Sequence, residues 1–167
     1  MENRGTRKPT LYLETTIVSY LAARPSRDIL VLSRQQLTRL WWDEQRSRFR
    51  VFVSPAVVEE AEAGDRDAAA ERLRLLEEVA LLPPTPQVEA MADVVRKALH
   101  IPQRAYGDSF HLAFAIHYEM DYLLTWNCAH LANAMNLRLL ADLSRREGLW
   151  LPIICTPEEM VEWKEES

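Results

Sequence analysis

Four side chains with ligand oxygens stand beside short apolar runs far apart in the chain: Glu14, Glu60, Asp108 and Asn127. The run 10–13 closes on Glu14. The run 51–53 is followed by Ser54-Pro55, a helix start, and Glu59 and Glu60 lie in the first turns of that helix. Asp108 follows Gly107, which is expected to make a turn, and stands where a helix would begin. That helix carries Leu112, Ala113, Phe114, Ala115 and Ile116 almost all round, so it is expected to be buried. The helix dipole there favours the charged carboxylate. Asn127 closes the apolar run 122–125. If these pieces meet at one sheet edge, they offer carboxylate and amide oxygens to a hard cation such as Mg²⁺ or Mn²⁺. Such an ion polarises a phosphodiester and activates water, and two ions about 4 Å apart stabilise both entering and leaving oxygens.

Each residue also has a structural reading. Glu14 can cap the helix after it, Asp108 can be an N-cap, and Asn127 can satisfy its own turn. One of Glu59 and Glu60 can be an ordinary first-turn acid. Thr15 and Ser109 can be caps or can bind a phosphate. His111, one turn after Asp108, reads as a buried histidine bonded to backbone, with substrate contact as the alternative. Cys128 and His130 lack the further ligands a zinc site needs. Trp126 reads as a core or rim aromatic rather than a base-stacking platform.

The elements that must position these groups alternate between strand and helix. Strands are expected at 10–13, 51–53, 81–82, 122–125 and 151–155. A helix is expected over 29–45 with Leu30, Leu37, Leu40 and Trp41 on its buried side. Another is expected over 129–146 with Leu131, Met135, Leu139, Leu140 and Leu143 on or near one side. The strands are short, apolar and unpatterned, as in a parallel sheet covered on both faces, where functional groups gather at the carboxyl ends of strands. Of Trp41 and Trp42, one is expected in the core and the other at a partner chain.

The 167 residues are 48% hydrophobic and 27% charged, which suits one globular domain over 10–160, with a flexible N-terminus at 1–9 and a tail at 161–167. A net charge of −5 argues against a protein that merely coats nucleic acid. Contact with RNA would then use a local patch, for which Arg24, Arg27, Arg34, Arg48 and Arg50 are candidates, or an acidic metal site. Cys128 and Cys155 form no CxxC, and no run is long enough to span a bilayer, so the expectation is a cytoplasmic protein without membrane partner. No phosphate-binding glycine run and no Asp-x-Asp after the first strand support a nucleotide hydrolase or phosphatase.

The motifs, in order, resemble those of a PIN domain. Leu11-Tyr12-Leu13-Glu14-Thr15-Thr16 resembles its opening, and Val53-Ser54 with Glu60 its second motif. Gly107-Asp108-Ser109-Phe110-His111-Leu112-Ala113 resembles the third, and Leu124-Thr125-Trp126-Asn127 the fourth. Over roughly residues 10–159 the chain is similar to VapC-type toxins of bacterial toxin–antitoxin pairs. The resemblance implies an α/β/α sandwich with a five-stranded parallel sheet. It implies a Mg²⁺- or Mn²⁺-dependent endoribonuclease, a homodimer, an RNA substrate and a cognate antitoxin. Carried over by position, the catalytic and metal-binding acids are Glu14, Glu60 and Asp108, with Asn127 at the fourth place. Glu14 is one methylene longer than the usual Asp, and Asn127 replaces an acid, which favours one metal over two. A PIN-like scaffold that binds RNA or an antitoxin without cutting is the alternative.

Overall fold

The computed structural model describes residues 7–162, so the expectations for 1–6 and 163–167 lie outside the described residues. The elements run β1 (Thr10–Leu13), α1 (Thr15–Ala22), α2 (Ile29–Leu40), β2 (Arg50–Val53), α3 (Pro55–Glu62), α4 (Arg66–Leu76) and β3 (Ala80–Leu81). They continue with α5 (Pro86–Ala98), α6 (Tyr106–His117), β4 (Tyr122–Leu124), α7 (Ala134–Glu147), β5 (Ile153–Cys155) and α8 (Pro157–Met160). The strands form one five-stranded sheet in the order β3-β2-β1-β4-β5. Every pairing is parallel. Helices flank it, giving the α/β/α sandwich expected from the sequence.

Strand order reverses at β1. The chain moves outward to β2 and β3, then returns to lay β4 against the other side of β1. In such sheets the crevice beyond the carboxyl ends of the strands at this switch point is where ligands bind. Leu13 pairs with Leu124, and the Glu14 amide donates to the Leu124 carbonyl at 3.1 Å. Glu14 and the residues after β4 therefore leave the sheet side by side.

The core is continuous across the sheet: Leu11, Tyr12 and Leu13 of β1, Leu123 and Leu124 of β4, and most of α6 are buried. The buried character expected for α6 is therefore observed. Two helical expectations are corrected. In α2, Leu30 is 74% exposed and Leu40 lies at the surface, while Trp41 is fully buried. The helix continues into a π-helical turn, Trp41–Gln45, whose wider winding changes which residues face inward. The helix expected over 129–146 begins only at Ala134, because Asn133 caps it through its side chain, and Met135 is 71% exposed. Leu131, Leu140 and Leu143 are buried, but Leu139 reaches the surface. Trp41 is the core member of the tryptophan pair, and the Trp42 ring lies 4.2 Å under the Arg46 guanidinium. Among the described residues no helix is long and apolar enough to cross a membrane.

Candidate metal centre

Glu14 follows β1 directly and is 3% exposed. It is the N-cap of α1, as the capping reading has it, with Oε2 accepting from the Thr16 amide at 3.1 Å. The same oxygen accepts from the Thr16 hydroxyl and from Thr125 Oγ1, the latter at 2.6 Å. Among the described residues no hydrogen bond reaches Oε1, so that oxygen keeps its lone pairs. Burial pushes the Glu14 carboxyl above its ordinary value; the charge of His111 and the bonds from Thr125 and Thr16 offset part of that rise. Thr15 and Thr16 act on the acids rather than as caps.

Glu60 reaches the same place from α3. Its Oε2 accepts from Thr15 Oγ1 at 2.5 Å, and both its oxygens lie 3.1–3.2 Å from His111 Nε2. Burial works against its charge, but the His111 and Thr15 bonds outweigh burial, and its acidity is strengthened. One ligand atom each from Glu14, Glu60 and His111 lie within 4.8 Å of one another. Both nitrogens of His111 are already engaged, Nδ1 with the Tyr12 hydroxyl at 2.7 Å and Nε2 with Glu60. We therefore read His111 as a support of the acids rather than a free ligand. The expectation of a histidine bonded to backbone is corrected: its partners are side chains from β1 and α3.

Gly107 is not the turn expected of it. Helix α6 begins at Tyr106, so Gly107 and Asp108 lie within its first turn, and its N-cap is Ala105. A Cβ at Gly107 would lie 2.8 Å from Glu60 Oε1. The glycine is needed for close approach of a carboxylate, not for a backbone bend.

Asp108 is consequently no N-cap. Its Oδ1 accepts from Asn127 Nδ2 at 3.0 Å, and its Oδ2 lies 2.6 Å from His130 Nδ1. Asn127 is also a turn residue: its Oδ1 accepts from the His130 amide at 3.0 Å. Asp108 and Asn127 thus form a second group beside the first. The two groups are joined, since the Asn127 amide donates to Thr125 Oγ1 at 2.9 Å and that hydroxyl donates to Glu14. Ser109 turns back to bond the Tyr106 carbonyl at 2.5 Å. Trp126 is buried, donates to Thr38 at 2.7 Å and carries Arg34 5.2 Å over its ring, so its face is already covered. Sequence reasoning left His130, Thr125 and Tyr12 out of the site. The spacing of His130, three residues beyond Asn127, was the signal for the first.

Residues 11–127 match the family model of the PIN domain. This chain belongs to the PIN domain family. The matched segment starts on β1 and ends on Asn127, so it contains Glu14, Glu60, Asp108 and Asn127. No curated protein sequence matches the chain. Several solved structures share the fold. VapC20 of Mycobacterium tuberculosis, described as a sarcin-ricin loop cleaving toxin, is 14% identical with a TM-score of 0.57, covering 72% of this chain and 92% of its own. VapBC-1 of nontypeable Haemophilus influenzae is 14% identical with a TM-score of 0.55, covering 89% and 98%. VapBC2 of Rickettsia felis, bound to a DNA fragment from its promoter, is 13% identical with a TM-score of 0.52, covering 88% and 98%. At these identities the likeness is one of fold.

Proposed function

We propose that this PIN domain, over residues 10–160, is a metal-dependent endoribonuclease and the toxin half of a toxin–antitoxin pair, acting in the cytoplasm as a homodimer on RNA. The observation that carries the reading is Glu14: a buried carboxylate with one oxygen that receives no hydrogen bond among the described residues, beside Glu60, at the sheet's switch point. A buried acid with its pKa raised is costly unless a cation offsets the charge. Carboxylate oxygens from Glu14 and Glu60, with Asp108 and Asn127 in the adjoining group, are the donor type that Mg²⁺ or Mn²⁺ takes. The bound ion would polarise the scissile phosphodiester and acidify an attacking water. The chain's own part is orientation. Thr16 and Thr125 hold Glu14 Oε2 and so present Oε1, Thr15 and His111 hold Glu60, and Asn127 with His130 hold Asp108. The antitoxin partner is supported by the fold shared with the VapBC assemblies.

The test is cleavage of RNA with Mg²⁺ or Mn²⁺ and after chelation by EDTA, together with calorimetric titration of Mn²⁺. Cleavage that stops with EDTA and returns with added metal is the expected result. Cleavage indifferent to EDTA would remove the metal from the reading.

One observation favours a non-cutting scaffold: both Asp108 oxygens are already engaged, and Asn127 brings a donor, not a charge, to the pair. Absence of Mn²⁺ binding up to millimolar levels, even with RNA present, would select that reading. Asn127→Asp addresses it directly. The substitution replaces a 3.0 Å donor contact by two carboxylates that resist ionising together. Expected are a lower Tm in EDTA and about tenfold tighter Mn²⁺ binding, equivalent to about 1.4 kcal/mol. Unchanged Mn²⁺ affinity would separate position 127 from the metal.

A further inference from the structure

We propose that Ser54, Tyr12 and His111 form a buried hydrogen-bond relay that fixes the Glu60 carboxylate, with His111 as the positioning residue. The inference rests on the functional reading above for what Glu60 does, but on this chain's geometry alone for how Glu60 is held.

Four elements converge on the relay. Ser54 follows β2, Tyr12 lies in β1, His111 lies in α6 and Glu60 in α3. Ser54, Tyr12 and His111 are each fully buried. The contacts run in one line: Ser54 Oγ to the Tyr12 hydroxyl at 2.7 Å, that hydroxyl to His111 Nδ1 at 2.7 Å, and His111 Nε2 to Glu60 at 3.1–3.2 Å. Only the Glu60 end is open, its side chain being 39% exposed. Hence a polar string begins in the core and terminates at the site.

Two features say that this is more than interior housekeeping. Ser54 is the N-cap of α3, yet its side chain makes no capping bond; its hydroxyl lies against Tyr12 instead. A capping bond typically worth about 1 kcal/mol is thus forgone. In addition, the buried length of α6 is apolar apart from His111 and Ser109, and Ser109 bonds its own helix at the Tyr106 carbonyl, so a leucine would fill the place of His111 without burying two ring nitrogens. Polar groups are retained there and every one of them is satisfied.

The polarity of the relay follows from its open end. An ionised Glu60 only accepts hydrogen bonds, so Nε2 must carry the hydrogen. In a neutral ring Nδ1 is then an acceptor, which takes the Tyr12 hydroxyl hydrogen, while Tyr12 accepts from Ser54. The Nε2 donor persists if the ring is charged, so the hold on Glu60 does not depend on the ring's protonation. Such a partner orients a ligating carboxylate in the way outer-shell groups orient metal ligands.

The experiment compares His111→Gln with His111→Asn. The glutamine amide reaches toward the Nε2 position and restores a donor to Glu60. The asparagine amide stops near the Nδ1 position, keeps the Tyr12 contact and leaves Glu60 without its donor. Calorimetric Mn²⁺ titration and the RNA cleavage rate are read with Tm as the fold control. Expected is a loss of about 10–100-fold in Mn²⁺ affinity for His111→Asn, with His111→Gln within about threefold of the parent. Equal losses in both variants, or no loss in either, would overturn the relay. Should neither variant fold, Tyr12→Phe removes one hydroxyl only and is expected to weaken Mn²⁺ binding by about three- to tenfold; parental affinity would overturn the relay. Long-range ¹H–¹⁵N spectra of the parent's imidazoles supply a readout independent of metal. Hydrogen on His111 Nε2 is expected, and a bare Nε2 overturns the proposal. A parent protein that shows this hydrogen but neither binds Mn²⁺ nor cuts RNA would sink the nuclease reading while leaving the relay standing.

Discussion

A Glu14→Gln variant is expected to lose about 10³-fold in metal-dependent RNA cleavage and yet melt at a higher temperature than the parent in EDTA. On the nuclease reading the loss follows from removing a charge that would hold a cation at the reacting phosphate, a preorganised electrostatic effect of that order. The gain follows from burial. Glutamine can place its amide oxygen where Oε2 accepts from Thr16 and Thr125, with its NH₂ at Oε1, which receives no bond from the described residues. It thus keeps the capping contacts and discards a charge held in a site that is 3% exposed. The pH dependence has a definite sign. Burial raises the folded-state pKa of Glu14 above its ordinary 4.5, so folding takes up a proton between the two values. The stability linked to that proton is fully present below the unfolded value and is lost as pH rises through the folded one. Glutamine has no such slope. In EDTA the variant's advantage should therefore open as pH climbs out of the carboxylate range, to about 1 kcal/mol, or about 2–4 °C in Tm. Melting curves at several pH values read it directly; an advantage that stays constant with pH would contradict the assignment to Glu14.

Gly107→Ala is expected to cut cleavage by about 10²-fold while leaving Tm unchanged or slightly raised. An added Cβ meets Glu60 Oε1 at 2.8 Å, closer than real Cβ atoms come. The atom in its way is the tip of a flexible, partly exposed side chain, so the carboxylate swings aside rather than the backbone. Displacement on the order of 1 Å at a reacting centre costs about 10²-fold. The fold does not suffer, because Gly107 lies inside α6, where alanine is the better helix former by about 1 kcal/mol. A fully active variant would mean that Glu60 is not held to a fixed position, and the mutant's unaltered Tm would separate this from unfolding.

Both predictions concern close contacts between residues remote in sequence, and there the limits of sequence reading are plain. The order of strands and helices was legible because short apolar runs and Ser54-Pro55 are local signals whose physics acts within a few residues. The nearness of Glu14 and Asn127 to strand ends was legible for the same reason. Which side of an amphipathic helix is covered was not. Leu30, Leu40, Met135 and Leu139 repeat at helical spacing but lie at the surface, since periodicity records a stripe and not what packs on it. Gly107 carried a correct residue type with the wrong reason: glycine in a sequence reads as a turn, whereas here it clears room for a side chain 47 positions away.

By itself, then, the sequence determined a PIN-type α/β fold and the acids that could serve it, because residue type, spacing and strand pattern are one-dimensional properties. Only the tertiary structure decided how those acids are used. It paired Glu60 with His111 across 51 positions and His111 with Tyr12 across 99, and it set Asp108 against His130 and Asn127. Those partnerships arise where β1 and β4 leave the sheet together and α3 and α6 converge on them. Hydrogen bonds and charges act over a few ångströms of space, and that distance does not exist until the chain has folded.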